Sequence, residues 1–158
     1  MSPADGIEIV RARDRDRGEV LALVERLLLE LEDRPEEFAG LDRARTLRDL
    51  ASAGDRFAAF LARDAGGKAV GVVTIVETFA IYAGGRYGVI DELYVDPDCR
   101  SGRVGRRLIE AAADHGRSRG WVRIEVTAPP EKKWERTVRF YERQGFVFTG
   151  PKLRLPLP

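Results

Sequence analysis

The chain has 158 residues, with 27 Lys+Arg against 26 Asp+Glu, a formal net charge of +1 and 44% hydrophobic residues. That length supports one domain, 1–158, with a core of its own, and the near-neutral balance offers no global field to attract nucleic acid. Cys99 is the only cysteine, which excludes an internal disulfide. No apolar run approaches the roughly 18 residues of a membrane span and no secretory signal opens the chain, so the expectation is a cytoplasmic protein without membrane partners.

Ile7 to Ala12 alternates apolar and polar residues and predicts a first strand. Asp14 or Asp16 is placed to cap a helix in which Val20, Leu21, Val24, Leu27, Leu28 and Leu31 recur at helical spacing, stopped by Asp33-Arg34-Pro35. A weaker helix is expected from about Asp42 to Ala51. Phe57–Arg63 and Ala69–Phe79 read as strands joined by a Gly66-Gly67 turn, and Tyr82–Gly85 leads into a further strand near Arg86.

Val89 to Glu110, VIDELYVDPDCRSGRVGRRLIE, organises the rest. Val89, Ile90, Leu93, Tyr94 and Val95 favour a buried strand, Asp96-Pro97-Asp98 breaks it, and Arg100–Gly105 opens a helix carrying Leu108, Ile109, Ala111 and Ala112. Free amides at such a helix start, with Arg100, Arg103, Arg106 and Arg107 nearby, suit a phosphate or pyrophosphate. A glycine that merely relieves a turn would look the same. A Walker site is excluded, because no Gly-Lys-Ser/Thr follows. A dinucleotide fold fits poorly, with several strands ahead of the loop and only Gly102 and Gly105 in it.

Beyond the loop helix, Gly120 is a plausible stop, Trp121–Thr127 a strand, and Pro129–Lys133 a polar loop. Glu135–Gln144 reads as a short helix capped by Gly145, Phe146–Phe148 as a further strand, and Lys152–Leu155 as an edge strand. The order β α α β β β α β α β implies an α/β (α+β) fold with a mixed sheet flanked by helices. His115 has no ligand partner at metal spacing, so no metal is expected and a packing or surface role is assigned to it. Cys99 reads as a small apolar filler.

The organising stretch, taken with RFYERQGF at Arg139–Phe146, resembles the GNAT superfamily of N-acetyltransferases. In the family pattern Leu-x-Val-x-Pro-x-x-Arg/Gln-x-x-Gly-x-Gly/Ala, the places are filled by Leu93, Val95, Pro97, Arg100 and Gly105. Phe140, Tyr141, Gly145 and Phe146 fill the second motif. The resemblance implies a mainly antiparallel sheet and acetyl-coenzyme A as cosubstrate, held by Leu93, Tyr94, Val95, Arg100, Ser101, Gly102, Arg103, Val104, Gly105 and Arg106. Two positions depart from the pattern. The central loop glycine falls on Arg103, and the asparagine that often precedes the tyrosine is Trp134.

The resemblance further implies direct attack of an amine in a ternary complex. Tyr141 matches the residue that protonates the departing sulfur, and a backbone N–H around Tyr94 or Val95 would meet the oxyanion. Glu125 and Glu92 are the candidate proton acceptors. The acceptor would be a primary amine of a small molecule or peptide. A homodimer is common in the family, though no stretch here specifies one. The alternative is an acyl-coenzyme A-binding sensor of the same fold without catalysis. Glu30, Glu32, Asp33, Glu36 and Glu37 would favour a cationic amine or simply form a solvated helix end.

Overall fold

A computed structural model of the protein describes residues 6–31, 41–128, 132–150 and 152–157, with Ser101 and Gly102 described by backbone alone. The predicted stop at Asp33-Arg34-Pro35 and the loop residues Pro129, Pro130 and Glu131 lie outside the described residues. Five strands, β1 (Glu8–Arg11), β2 (Phe57–Arg63), β3 (Ala69–Ala80), β4 (Gly85–Val95) and β5 (Ile124–Val126), form one sheet in sequence order. The first three pairings are antiparallel, and β4–β5 is parallel. Among the described residues four α-helices accompany them: α1 (Arg17–Glu30), α2 (Arg43–Ser52), α3 (Val104–Ser118) and α4 (Glu135–Arg143).

Alternation along the strands gives the sheet two apolar faces. On one, Ala58, Phe60, Val73, Ile75, Ile90 and Val95 pack with Val104, Leu108, Ile109 and Ala112 of α3 and Tyr141 of α4. On the other, Ala59, Leu61, Val72 and Tyr94 pack with Val20 and Leu23 of α1. The predicted caps of α1 act differently: Asp16 has no side-chain capping bond to that helix and instead accepts from Arg13 N–H at 2.7 Å and pairs with Arg63 at 3.1 Å. Asp42 does cap α2, accepting from Arg45 N–H at 3.0 Å, and Arg43 ties α2 to Glu25 of α1 at 2.6 Å.

The strand expected from Trp121 begins only at Ile124. Trp121 is spent elsewhere: its N–H closes α3 onto Gly116 O at 2.9 Å past the left-handed Gly120, and its ring fills the space over Gly88 and Gly116. A Cβ on either glycine would lie 2.6 Å from Trp121 Cε3. The indole cannot yield easily, since Nε1 donates to Glu77 Oε2 at 2.6 Å and His115 abuts the ring edge-on with a 5.3 Å centroid separation. Gly88→Ala should therefore cost about 1–3 kcal/mol, read as a lowered midpoint in thermal or urea unfolding. An unchanged midpoint would mean that the indole is free to move.

Glu77 also accepts from Arg119 Nε at 2.6 Å, and these two hydrogen bonds, Arg119 first, hold its carboxyl down from 4.5 to about 2. A depressed carboxylate stabilises the fold above its unfolded pKa, and that contribution fades as pH falls toward the folded one. The stability gap between the wild type and Glu77→Gln should accordingly be full at pH 6 and shrink between about pH 4.5 and 2. A gap independent of pH in that window would contradict this role.

No strand forms at Phe146–Phe148 or Lys152–Leu155, where the sequence predicts one each. Val147, Phe148, Leu153 and Leu155 are instead exposed. Alternation signals a strand only where a sheet face receives the apolar side, and here β5 is three residues long and leaves little edge to extend. His115 and Cys99 do pack as expected. His115 meets Phe60 and Trp121, and Cys99 is buried, where desolvation raises its thiol pKa.

Candidate active site

The site is built around an irregularity in β4. Thr74 of β3 pairs with Glu92, but its neighbour Ile75 pairs with Ile90, so Asp91 is an extra residue and β4 bulges there. The bulge flips the direction of the amides. Before it, Gly88 N–H points to β5, bonding Arg123 O at 3.1 Å. After it, Glu92 N–H meets Thr74 Oγ1 at 3.1 Å and Asp96 N–H meets Val70 O at 2.8 Å, both toward β3. Alternation then turns Tyr94 N–H toward β3 as well and leaves Leu93 and Val95 N–H facing the other edge. Of the two amides expected to meet an oxyanion, that of Tyr94 is directed at β3, whereas that of Val95, like that of Leu93, faces the other edge.

That other edge is open. The parallel pairing of β4 with β5 covers only Gly88–Ile90 against Ile124–Val126, and beyond it the two strands have no further pairs among the described residues. A cleft with one wall of strand amides results.

Pro97–Gly102 winds as a 3₁₀ turn from the end of β4, and Arg103 at φ 61°, ψ 14° turns the chain into α3. Arg103 is the one non-glycine residue with positive φ among the described residues, at the place where the resemblance expects glycine. The first helical bond runs from Arg107 N–H to Arg103 O at 3.1 Å, and no side chain caps this helix. The amides of Val104, Gly105 and Arg106 therefore project from the start of a 15-residue helix.

The arginines do not all face that point. Arg100 donates from Nε to Val95 O at 2.8 Å and pairs with Glu30 of α1 at 2.6 Å. Arg106 pairs with Glu110 at 2.8 Å, and Arg107 donates to Ile7 O at 2.8 Å. Arg103 is exposed and has no such partner among the described residues. Of the acidic group near the end of α1, Glu30 is taken by Arg100, while Glu32, Asp33, Glu36 and Glu37 lie outside the described residues.

The two sequence motifs touch each other. A Cβ on Gly105 would sit 3.1 Å from Phe140 Cζ, so the loop helix and α4 are in contact through an aromatic ring over a glycine. Phe140 and Phe146 flank Tyr141 edge-on, with centroids 5.4 and 5.5 Å away. Gly145, at φ 94°, ends α4 with Phe146 N–H bonded to Tyr141 O at 3.1 Å. Tyr141 belongs to the core cluster of Val95, against which Leu93 also packs, and burial pushes its phenol up to about 12. Its hydroxyl makes no hydrogen bond among the described residues. Trp134 starts α4, with the Lys133 ammonium 5.3 Å from its ring centre.

The two carboxylates differ. Glu92 lies on the α1 face of the sheet, opposite Tyr141, and the Thr74 hydroxyl donates a hydrogen bond to its Oε2. Burial raises its pKa, the Thr74 bond opposes that, and the neighbouring Asp91 charge adds to it. Glu125 pairs with Arg123 at 2.9 Å, and that guanidinium lies between Tyr82 and Tyr87, 5.3 and 5.4 Å from their ring centres. The bulge and Thr74 were missed in the sequence reading. One signal was available: inward apolar residues are spaced by two along a strand, yet Ile90 and Leu93 are three apart.

A family model described as Acetyltransferase (GNAT) family matches residues 23–146. Among curated proteins, the chain is 31% identical over 81 residues to an IAA acetyltransferase of Azospirillum brasilense, covering 51% of this chain and 52% of that protein. It is 31% identical over 107 residues to glucosamine 6-phosphate N-acetyltransferase 1 of Oryza sativa subsp. japonica, covering 66% and 61%. These matches therefore span between about half and three fifths of the curated relatives. Among solved structures, an aminoglycoside acetyltransferase from an uncultured soil metagenomic sample aligns with a TM-score of 0.80 at 20% identity, covering 97% of this chain and 99% of that one. A ribosomal-protein-alanine N-acetyltransferase from Brucella melitensis biovar Abortus gives 0.75 at 22%, covering 96% and 99%. At such identities the likeness concerns the fold.

Proposed function

The chain belongs to the GNAT acetyltransferase family, and from that premise we propose that it transfers acetyl from acetyl-coenzyme A to a primary amine of a small molecule or peptide. The observation that carries the proposal is the continuity of one anion-ready helix start with one open strand edge. The amides of Val104, Gly105 and Arg106 suit a diphosphate, and the left-handed Arg103 turns its backbone into the same loop and brings a charge that no acid among the described residues engages. The edge amides of Leu93 and Val95 suit an amide-bearing arm laid along β4, as an added strand would lie. Ser101 and Gly102 contribute backbone to that loop.

Bound there, the cosubstrate supplies an activated acyl carbon. The chain supplies the rest. Leu93 N–H, the free amide closer to the bulge, donates to the carbonyl oxygen as negative charge develops on it. Glu92 accepts the proton that the amine nitrogen loses as the C–N bond forms, and Tyr141 donates a hydrogen bond to the sulfur as the C–S bond breaks. Because Glu92 and Tyr141 flank the sheet on opposite sides, the amine enters from the α1 face and the sulfur leaves toward α4. Glu125 is assigned to holding Arg123 between the two tyrosines, as part of the wall on the amine side.

The test is an acetyl-coenzyme A assay against a panel of primary amines, including an aminoglycoside, a hexosamine phosphate and a peptide with a free N-terminus. Free thiol and acetylated product are both measured. Amine-dependent thiol release with matching product supports the reading. Coenzyme binding without turnover on any amine would mark the chain as a sensor instead.

A further inference from the structure

We infer that Thr74 is the positioning residue that fixes the Glu92 carboxylate at the mouth of the β4–β5 cleft, an inference that rests on the assignment of Glu92 as proton acceptor. Thr74 is 2% exposed and is the only polar side chain in the run Val70–Val76. Valine has nearly the same shape and would suit a buried strand better, so what threonine adds is its hydroxyl. That hydroxyl is fully used by one residue. Its oxygen accepts Glu92 N–H at 3.1 Å, and its single proton goes to Glu92 Oε2.

The arrangement follows from the bulge. The extra residue Asp91 breaks the ladder, and Glu92 N–H meets a side chain where a regular pair would offer a carbonyl. Thr74 closes that gap, and in doing so clamps backbone and carboxylate of the same residue into one ring of bonds. The rotamer of Glu92 is thereby fixed without a cation, and its carboxylate keeps the basicity that an arginine would remove. Glu125 on β5 shows the contrast, since Arg123 engages it directly.

The charged and titratable groups around Glu92 are few. Asp91 adjoins it, with Lys152 of the C-terminal segment acting on Asp91. On the same face lie Tyr87 and Tyr94 of β4 and Glu125 with Arg123 from β5. From α1 come Glu30, paired with Arg100, and Arg26, paired with Asp96 at 2.9 Å. Only the Asp91 charge and the Thr74 bond act on Glu92 itself.

The test is the titration of the Glu92 carboxyl, followed by NMR in glutamate-labelled protein, for wild type, Thr74→Val and Thr74→Ser. It is paired with the pH profile of kcat/KM on whichever amine of the panel is fastest. Removing the hydroxyl should raise the Glu92 pKa and move the acid limb of the profile upward with it. At pH values below the limb kcat/KM falls about threefold to tenfold, because each unit of displacement is tenfold there. Serine should restore both. An unmoved titration in Thr74→Val overturns the inference. A titration that moves while the limb stays put overturns the assignment of Glu92 as base, leaving the clamp itself standing. Thr74→Ala, which removes the hydroxyl without adding a methyl group, takes the place of valine if the latter fails to fold.

Discussion

Glu92→Gln lowers turnover about 10²-fold or more at neutral pH and abolishes the acid limb of the pH profile. Glutamine keeps the shape and can still take a hydrogen bond from Thr74, but it cannot accept a proton. The sign of the pH dependence follows from the burial of this carboxyl, which raises its pKa above the ordinary 4.5. A base with a raised pKa loses activity as pH falls through that raised value, so the limb lies above the ordinary carboxylate range. Coenzyme A affinity should stay close to wild type, because Glu92 is on the face opposite the loop helix. If Glu92→Gln turned over at the wild-type rate, the base would have to be water or another group.

Tyr141→Phe should lower turnover by about tenfold to 10²-fold, with little change in coenzyme binding. Burial among Phe140, Phe146 and the α3 face pushes the phenol up to about 12, so the proton is fully present at pH 7. The same burial limits what Tyr141 can do, since an ordinary thiol titrates near about 8.5 and complete transfer from so weak an acid is uphill. Its part is to donate a hydrogen bond to sulfur as charge builds there, which is why the expected loss lies at the modest end for acid catalysis. Loss should grow with poorer leaving groups and vanish for an activated one; an equal loss on both would indicate damage to packing instead. The hydroxyl has no other hydrogen-bond partner among the described residues, so phenylalanine leaves no buried group orphaned.

What was legible in the sequence is what local chemistry dictates. Asp96-Pro97-Asp98 could only break a strand, Gly145 could only end a helix in that conformation, and Leu108, Ile109, Ala111 and Ala112 marked the side of α3 that packs on the sheet, with Ala111 at its margin. The order of elements along the chain as far as α4, and a mixed sheet flanked by helices, followed from that punctuation. Contacts between distant segments were not legible. Nothing near Gly105 announces that Phe140 will cover it, and nothing near Gly88 announces Trp121. The same limit explains Arg100, a motif position whose side chain is committed to Glu30 and Val95 O. The tail failed in the opposite way: Leu153 and Leu155 alternate as a strand would, but they meet no sheet edge that could receive them.

Arg103 gains a meaning that the sequence alone withheld. It is not a lost glycine that merely crowds the loop; it takes the left-handed conformation that glycine would take, at a cost of roughly 1 kcal/mol, and keeps its guanidinium clear of any acid among the described residues. The strain and the free charge are both at the point where a diphosphate would rest.

The most direct measurement is a calorimetric titration of the purified protein with coenzyme A, repeated at two salt concentrations. Saturable one-site heat that weakens at the higher salt is the predicted result, because in the proposed complex helix-start amides and Arg103 read phosphate charge. No heat up to millimolar coenzyme A would contradict the assignment of the loop, and with it the roles of Glu92, Tyr141 and Thr74.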